Sequence, residues 1–237
     1  MLFFYVRHGD PVYDPDGLTE LGKQQAQALA DRMAICDPKR IYASSSNRAQ
    51  MTAEPSAKRL GKKIEILDWC NENYAGEEFG VVNSAGNRVW CFHDEPTKCR
   101  FASKEVRRLD MQWYDHPDFA QEKFKQGMER IQRETDAFFA SLGYRHVPEQ
   151  SGYIPERPND DRIALFAHQG FGLAFLSCLL DIPYPQVCTR LDLEHSSVTA
   201  ILFEGKKLVI PKVLQLSNDS HIFAAGMDTV YNHYIRF

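Results

Sequence analysis

Two short apolar runs, each halted by a histidine and a glycine, constrain this chain most: residues 2–6 before Arg7-His8-Gly9, and residues 162–167 before His168-Gln169-Gly170. A strand without a polar face must be buried on both sides, which is the situation in a mostly parallel sheet covered by helices on both faces. The segments between agree with that arrangement. Thr19 is placed to cap a helix over KQQAQALADRMA, a second helix runs over about 47–60 and stops at Gly61, and a third follows Gly170 as far as about Leu180. Further strands are predicted at 40–43, 63–69, 197–203 and 207–213. The reading is an α/β fold, a three-layer α/β/α sandwich, which places a ligand at the carboxyl ends of its strands.

From about Glu77 to Pro117 the pattern degrades into aromatic and basic residues. This stretch is predicted to be a helical cap inserted into a single domain of residues 1–237. A long helix is expected from about Pro117 to Leu142, then a polar loop from Val147 to Asp161. The net charge of -4 argues against a general nucleic-acid or membrane surface. The apolar start is too short for a signal peptide, and no run approaches the ~20 apolar residues of a membrane span. A cytoplasmic chain with six reduced cysteines is therefore expected. Cys91-x-His93 and Cys99 lack a further zinc ligand at sensible spacing, so no metal is predicted.

Three segments carry chemistry. Arg7-His8-Gly9 joins an imidazole to a guanidinium fork suited to phosphate oxygens. In Ser44-Ser45-Ser46-Asn47-Arg48, Arg48 falls in the first turn of a helix, where the macrodipole disfavours a cation unless an anion sits beside it. In His168-Gln169-Gly170, a second imidazole precedes a helix whose N–H groups can face a ligand.

Together these segments resemble the histidine phosphatase superfamily: Arg7-His8-Gly9 after the first strand, Ser45-x-x-Arg48-Ala-x-x-Thr52-Ala after the second, and His168-x-Gly170 after a late strand. Leu18-Thr19-Glu20-Leu21-Gly22-x-x-Gln25-Ala26 resembles the family's first-helix signature. The resemblance spans residues 1–76 and 160–204. It implies that His8 is a nucleophile that becomes phosphohistidine, and that Arg7, Arg48 and His168 hold the phosphoryl oxygens. It also implies a proton-donating acid after the third strand. Glu72 in Asn71-Glu72-Asn73-Tyr74-x-Gly76 fits that place, with Glu77 and Glu78 as competitors. Neither metal nor other cofactor is implied, because the cationic groups can neutralise the phosphate.

The chain departs from the family at Asp10-Pro11, where a hydroxyl is usual. Thr19, and Gln169 beside the second histidine, are candidates for extra phosphate contacts, and His195 is a possible supporting residue. The short Val12–Leu18 segment favours a phosphatase acting on a small phosphorylated molecule over a phosphoglycerate mutase-type phosphotransferase. A protein-directed phosphatase or phosphate-binding module is a third possibility. In the cap, Trp90, Trp113 and Tyr114 could stack on a ring, and Arg100, Arg107 or Arg108 could meet a second anionic group. Oligomeric state stays open.

Overall fold

The computed structural model describes residues 1–228, 230–231 and 235–236. The chain begins with β1 (Leu2–Arg7), a small hairpin of β2 (Pro11–Tyr13) and β3 (Asp16–Leu18), and α1 (Glu20–Cys36). It continues through β4 (Arg40–Ser44), α2 (Asn47–Leu60), β5 (Ile64–Leu67) and α3 (Glu72–Phe79). A second hairpin, β6 (Gly80–Val82) and β7 (Arg88–Trp90), leads to α4 (Glu95–Ala102) and α5 (Lys104–Arg108). Then come α6 (Phe124–Ser141), a third hairpin of β8 (Tyr144–Val147) and β9 (Gly152–Pro155), β10 (Arg162–Ala167) and α7 (Gln169–Leu180). The remainder is α8 (Tyr184–Cys188), β11 (Val198–Leu202), β12 (Lys212–Asn218), α9 (Ser220–Ala224) and a short antiparallel pair, β13 (Val230–Tyr231) and β14 (Ile235–Arg236).

Six strands form the central sheet in the order β12-β11-β1-β10-β4-β5. The β1, β10, β4 and β5 strands run parallel, while β11 and β12 add an antiparallel edge. Alternation along β1 decides which side chain feeds which layer. Phe3 and Tyr5 pack with Phe138, Phe139 and Phe175 of α6 and α7. Phe4 and Val6 face the other way, against Leu29 and Met33 of α1 and Ala53 and Ala57 of α2. The expected sandwich is therefore present.

Several boundaries differ from the sequence reading. The long helix begins at Phe124, because Pro117–Phe119 forms a separate 3-10 turn. The expected polar loop after Val147 holds the second strand of a hairpin, whose alternation a proline-bearing segment disguised. The last strand of the central sheet is Lys212–Asn218 and not 207–213, since Val209 bridges to Tyr153 instead. Among the described residues, no helix is long and apolar enough to cross a membrane.

Far from the strand ends, His146 of β8 lies between two carboxylates: Nδ1 is 2.9 Å from Asp136 Oδ1 and Nε2 is 3.0 Å from Asp181 Oδ2. Burial works against the imidazolium, but the two carboxylates outweigh it and push His146 up to about 9. A raised value means that this contribution is complete below the ordinary pKa of 6.5 and is lost as pH rises through about 9. The melting temperature is expected to fall by a few degrees between about pH 7 and pH 10, and the fall should shrink in His146→Gln. Identical slopes in both proteins would contradict this.

Candidate active site

The carboxyl ends of the parallel strands open onto one edge of the sheet. There β1 delivers Arg7 and His8, β4 delivers Ser44 to Ser46 and then Arg48, β10 delivers His168, and β5 leads into Glu72. The backbone at His8 is pinned on both sides: its N–H donates to Ala167 O at 3.0 Å, and its carbonyl accepts from Ser196 N at 2.9 Å. Gly9 follows where there is no room for a side chain, because a Cβ would stand 2.7 Å from Gly22 O on α1. The crowding neighbour is thus the protein's own backbone. Thr52 completes the corner, accepting from Gly9 N–H at 3.0 Å and donating to Arg48 O at 2.7 Å.

His8 and His168 lie with ring centroids 5.2 Å apart. His8 Nδ1 is 2.7 Å from the Gly9 carbonyl, which can only accept, so the proton sits on Nδ1 and the lone pair on Nε2. Arg48 Nε approaches that nitrogen at 3.3 Å. Burial, then His168 and the two guanidiniums, hold His8 well below the usual imidazole range, which keeps it neutral and nucleophilic. His168 is likewise held low by burial and by Arg48 and Arg7. Its Nε2 lies 2.8 Å from Ser44 Oγ and 3.2 Å from Ser46 Oγ. Its Nδ1 is buried without a hydrogen-bond partner, although Glu72 Oε2 is only 3.2 Å away. A serine hydroxyl donating to Nε2 leaves Nδ1 as an N–H available to an oxygen ligand.

Glu72 is the one candidate acid that reaches this cluster. Burial raises its pKa above the usual carboxyl range, against the opposing pull of the Phe171 N–H, which it accepts at 3.0 Å, and of the two arginines. Glu78 is committed elsewhere, forked onto Arg130 with both oxygens at 2.6 Å. Glu77 stands exposed on the cavity wall.

Two helix N-termini expected to face a ligand are occupied by the protein's own carboxylates. Glu72 takes the first turn of α7. At α2, Asp16 accepts from Asn47 N–H at 2.7 Å and from Arg48 Nη1 at 2.6 Å. Arg48, only 6% exposed, is therefore no solvated surface arginine. Asp16 escaped sequence reading because it sat among the turn residues Asp14-Pro15-Asp16-Gly17, and only the β2–β3 hairpin brings it over α2. Arg7 donates to the Leu193 carbonyl through Nη1 and to His195 Nε2 at 2.7 Å through Nη2. His195 thus lies beside His8, at 5.6 Å between ring centroids.

The other candidates are not brought together. Thr19 donates to Asp10 Oδ2 at 2.7 Å and caps α1 by accepting from Gly22 N–H, while the Gln169 amide bonds Asp192. Trp113 is fully buried among Phe101, Phe119 and Tyr184, and Tyr114 borders a separate cavity. Of the three cap aromatics, only Trp90 lines the 820 Å³ cavity that meets the cluster at Arg48 and Glu72. Arg100, Arg107 and Arg108 are absent from its wall.

His8, Glu72 and His168 also place possible ligand atoms within 4.8 Å of one another. The two buried guanidiniums beside them repel a dication, whereas two neutral imidazoles and two guanidiniums suit a tetrahedral oxyanion.

A family profile described as histidine phosphatase superfamily (branch 1) matches residues 3–215. Phosphoserine phosphatase from Entamoeba histolytica, solved with 3-phosphoglyceric acid, is similar at TM-score 0.59 and 14% identity, covering 93% of this chain and 98% of that one. Mycobacterial glucosyl-3-phosphoglycerate phosphatase, solved with inorganic phosphate, is similar at TM-score 0.57 and 20% identity, covering 93% and 98%. A PE-PGRS family protein of Mycobacterium tuberculosis is 38% identical over 95 residues, 35% of this chain. The match spans 16% of the length of that curated relative.

Proposed function

The chain belongs to the histidine phosphatase superfamily, branch 1, and on that premise we propose that it hydrolyses a small-molecule phosphate monoester through a phosphohistidine at His8. The observation that carries this reading is the Gly9 carbonyl fixing the Nδ1 proton, which leaves the Nε2 lone pair beside Arg48.

In the first half-reaction, His8 Nε2 forms a bond to phosphorus as the ester P–O bond breaks, and Glu72 gives its proton to the departing alcohol. Arg7, Arg48 and the His168 Nδ1–H stabilise the phosphoryl oxygens. In the second, water attacks phosphorus, its proton goes to the Glu72 carboxylate, and His8 and inorganic phosphate are released. Asp16 holds Arg48 in place. Residues from about 77 to 117 cap a single domain and supply one side of the cavity, with Glu77, Gly80, Arg88, Val89 and Trp90 on its wall.

The test is a product balance with an aryl phosphate in the presence of EDTA. Equal amounts of alcohol and inorganic phosphate are expected, with a phosphoenzyme that survives alkaline quench and is lost in acid. Given 3-phosphoglycerate in place of the aryl ester, a phosphotransferase of the mutase type would return an isomerised phosphoglycerate with little free phosphate. That result, or a phosphoryl group on another residue, would overturn the reading.

A further inference from the structure

We propose that Tyr5 is a positioning residue for phosphoryl transfer: its hydroxyl holds the backbone of His168 so that the His168 Nδ1–H meets the phosphoryl oxygens. The inference rests on the phosphatase reading and goes beyond it, because Tyr5 acts through another residue. It is 1% exposed and does not line the cavity. His168 stands where β10 ends and α7 begins, past the last rung of the β1–β10 ladder. There the Tyr5 hydroxyl takes up both of its backbone groups, accepting from His168 N–H at 3.1 Å and donating to the His168 carbonyl at 2.6 Å. That carbonyl also accepts the Gly172 N–H at 3.2 Å, so one oxygen joins the strand end, the helix start and the phenol. Burial pushes Tyr5 well above the ordinary phenol range, which keeps its proton in place for the carbonyl.

The helix is shaped to admit this phenol. A Cβ on Gly172 would stand 2.5 Å from the Tyr5 oxygen, and 2.7 Å from both Tyr5 Cε1 and the end of the Leu193 side chain. One turn on, the Tyr5 ring stacks against Phe175, with centroids 5.4 Å apart and planes 24° apart. A glycine in the first turn of α7 thus gives up helix propensity for a close approach. Were Tyr5 a core filler alone, phenylalanine would serve, and the hydroxyl would carry a desolvation cost without need. Its use is to fix residue 168. Ser44 and Ser46 hold the imidazole through Nε2, and Tyr5 holds the backbone that carries the ring. Aim at a phosphoryl oxygen needs both, since a misplacement of about 1 Å costs about 10²-fold in rate.

Tyr5→Phe keeps the ring and removes the oxygen. With an aryl phosphate, kcat is expected to fall about tenfold or more while KM stays within about threefold, the pattern of an interaction made in the transition state. A cycle with His168→Ala separates positioning from general damage. Vanadate, an oxyanion that can take the five-coordinate shape of the transferring phosphoryl group, is titrated calorimetrically into wild type, both single variants and the double variant. Circular dichroism confirms the fold at the working temperature. Tyr5→Phe is expected to weaken vanadate about tenfold in the presence of His168, and less than about twofold once residue 168 is alanine. Gly172→Ala, which drives a methyl against the phenol oxygen, should repeat both results and replaces Tyr5→Phe if that variant does not fold. Losses that multiply in the double variant, or a wild-type kcat in folded Tyr5→Phe, would overturn the proposal while leaving hydrolysis by the wild type intact. A wild type that does not hydrolyse the aryl ester would instead strike at the phosphatase reading.

Discussion

Replacing His8 by alanine is expected to lower phosphate release from an aryl phosphate by about a thousandfold or more, with the fold retained. His168 does not replace it: its Nε2 is turned to two serine hydroxyls, which leaves the proton on Nδ1. The substitution removes a buried ring, so a modest fall in melting temperature accompanies it, and circular dichroism at the assay temperature separates unfolding from loss of chemistry. Wild-type rates in a folded His8→Ala protein would remove the phosphohistidine from the mechanism.

Glu72→Gln is expected to slow esters of poorly acidic alcohols by about 10²–10⁴-fold while sparing activated aryl esters. Glutamine keeps an oxygen for the Phe171 N–H and nearly the same volume, so the change removes the proton and little else. The pH profile carries a second signature. An acid must be protonated to act, so the rate falls as pH rises through its pKa. Burial, by raising that value, moves the fall above the ordinary carboxyl range. That limb should disappear in Glu72→Gln. Equal losses on both classes of ester would shift the donor to Glu77, since Glu78 is tied to Arg130.

What could be read from the sequence follows from how each signal arises. The β1 and β10 runs were legible because burial on both faces leaves an unbroken apolar string. Arg48 was legible because a cation in a first helical turn needs an anion. The identity of that anion was not, because Asp16 reaches α2 only through a hairpin of three-residue strands, too short to show a period. Thr19 announced its cap correctly, yet the same hydroxyl is spent on Asp10, a contact set by tertiary approach. The stretch after Glu77 lost its pattern because short helices and 3-10 turns there bury aromatics such as Phe101 and Trp113 on irregular spacing.

Strand β1 sits between β10 and β11, partners that lie some 160 and 200 positions further along the chain. During synthesis, His8 therefore leaves the ribosome well before β10 and β11 and waits for both before its flanks are covered. Fragments truncated ahead of Ala167 would leave that first strand without either neighbour and its apolar side chains in water, an attractive target for chaperones. Chemical competence in this architecture is a late event, reached only once the segments that carry β10 and β11 have been translated as well.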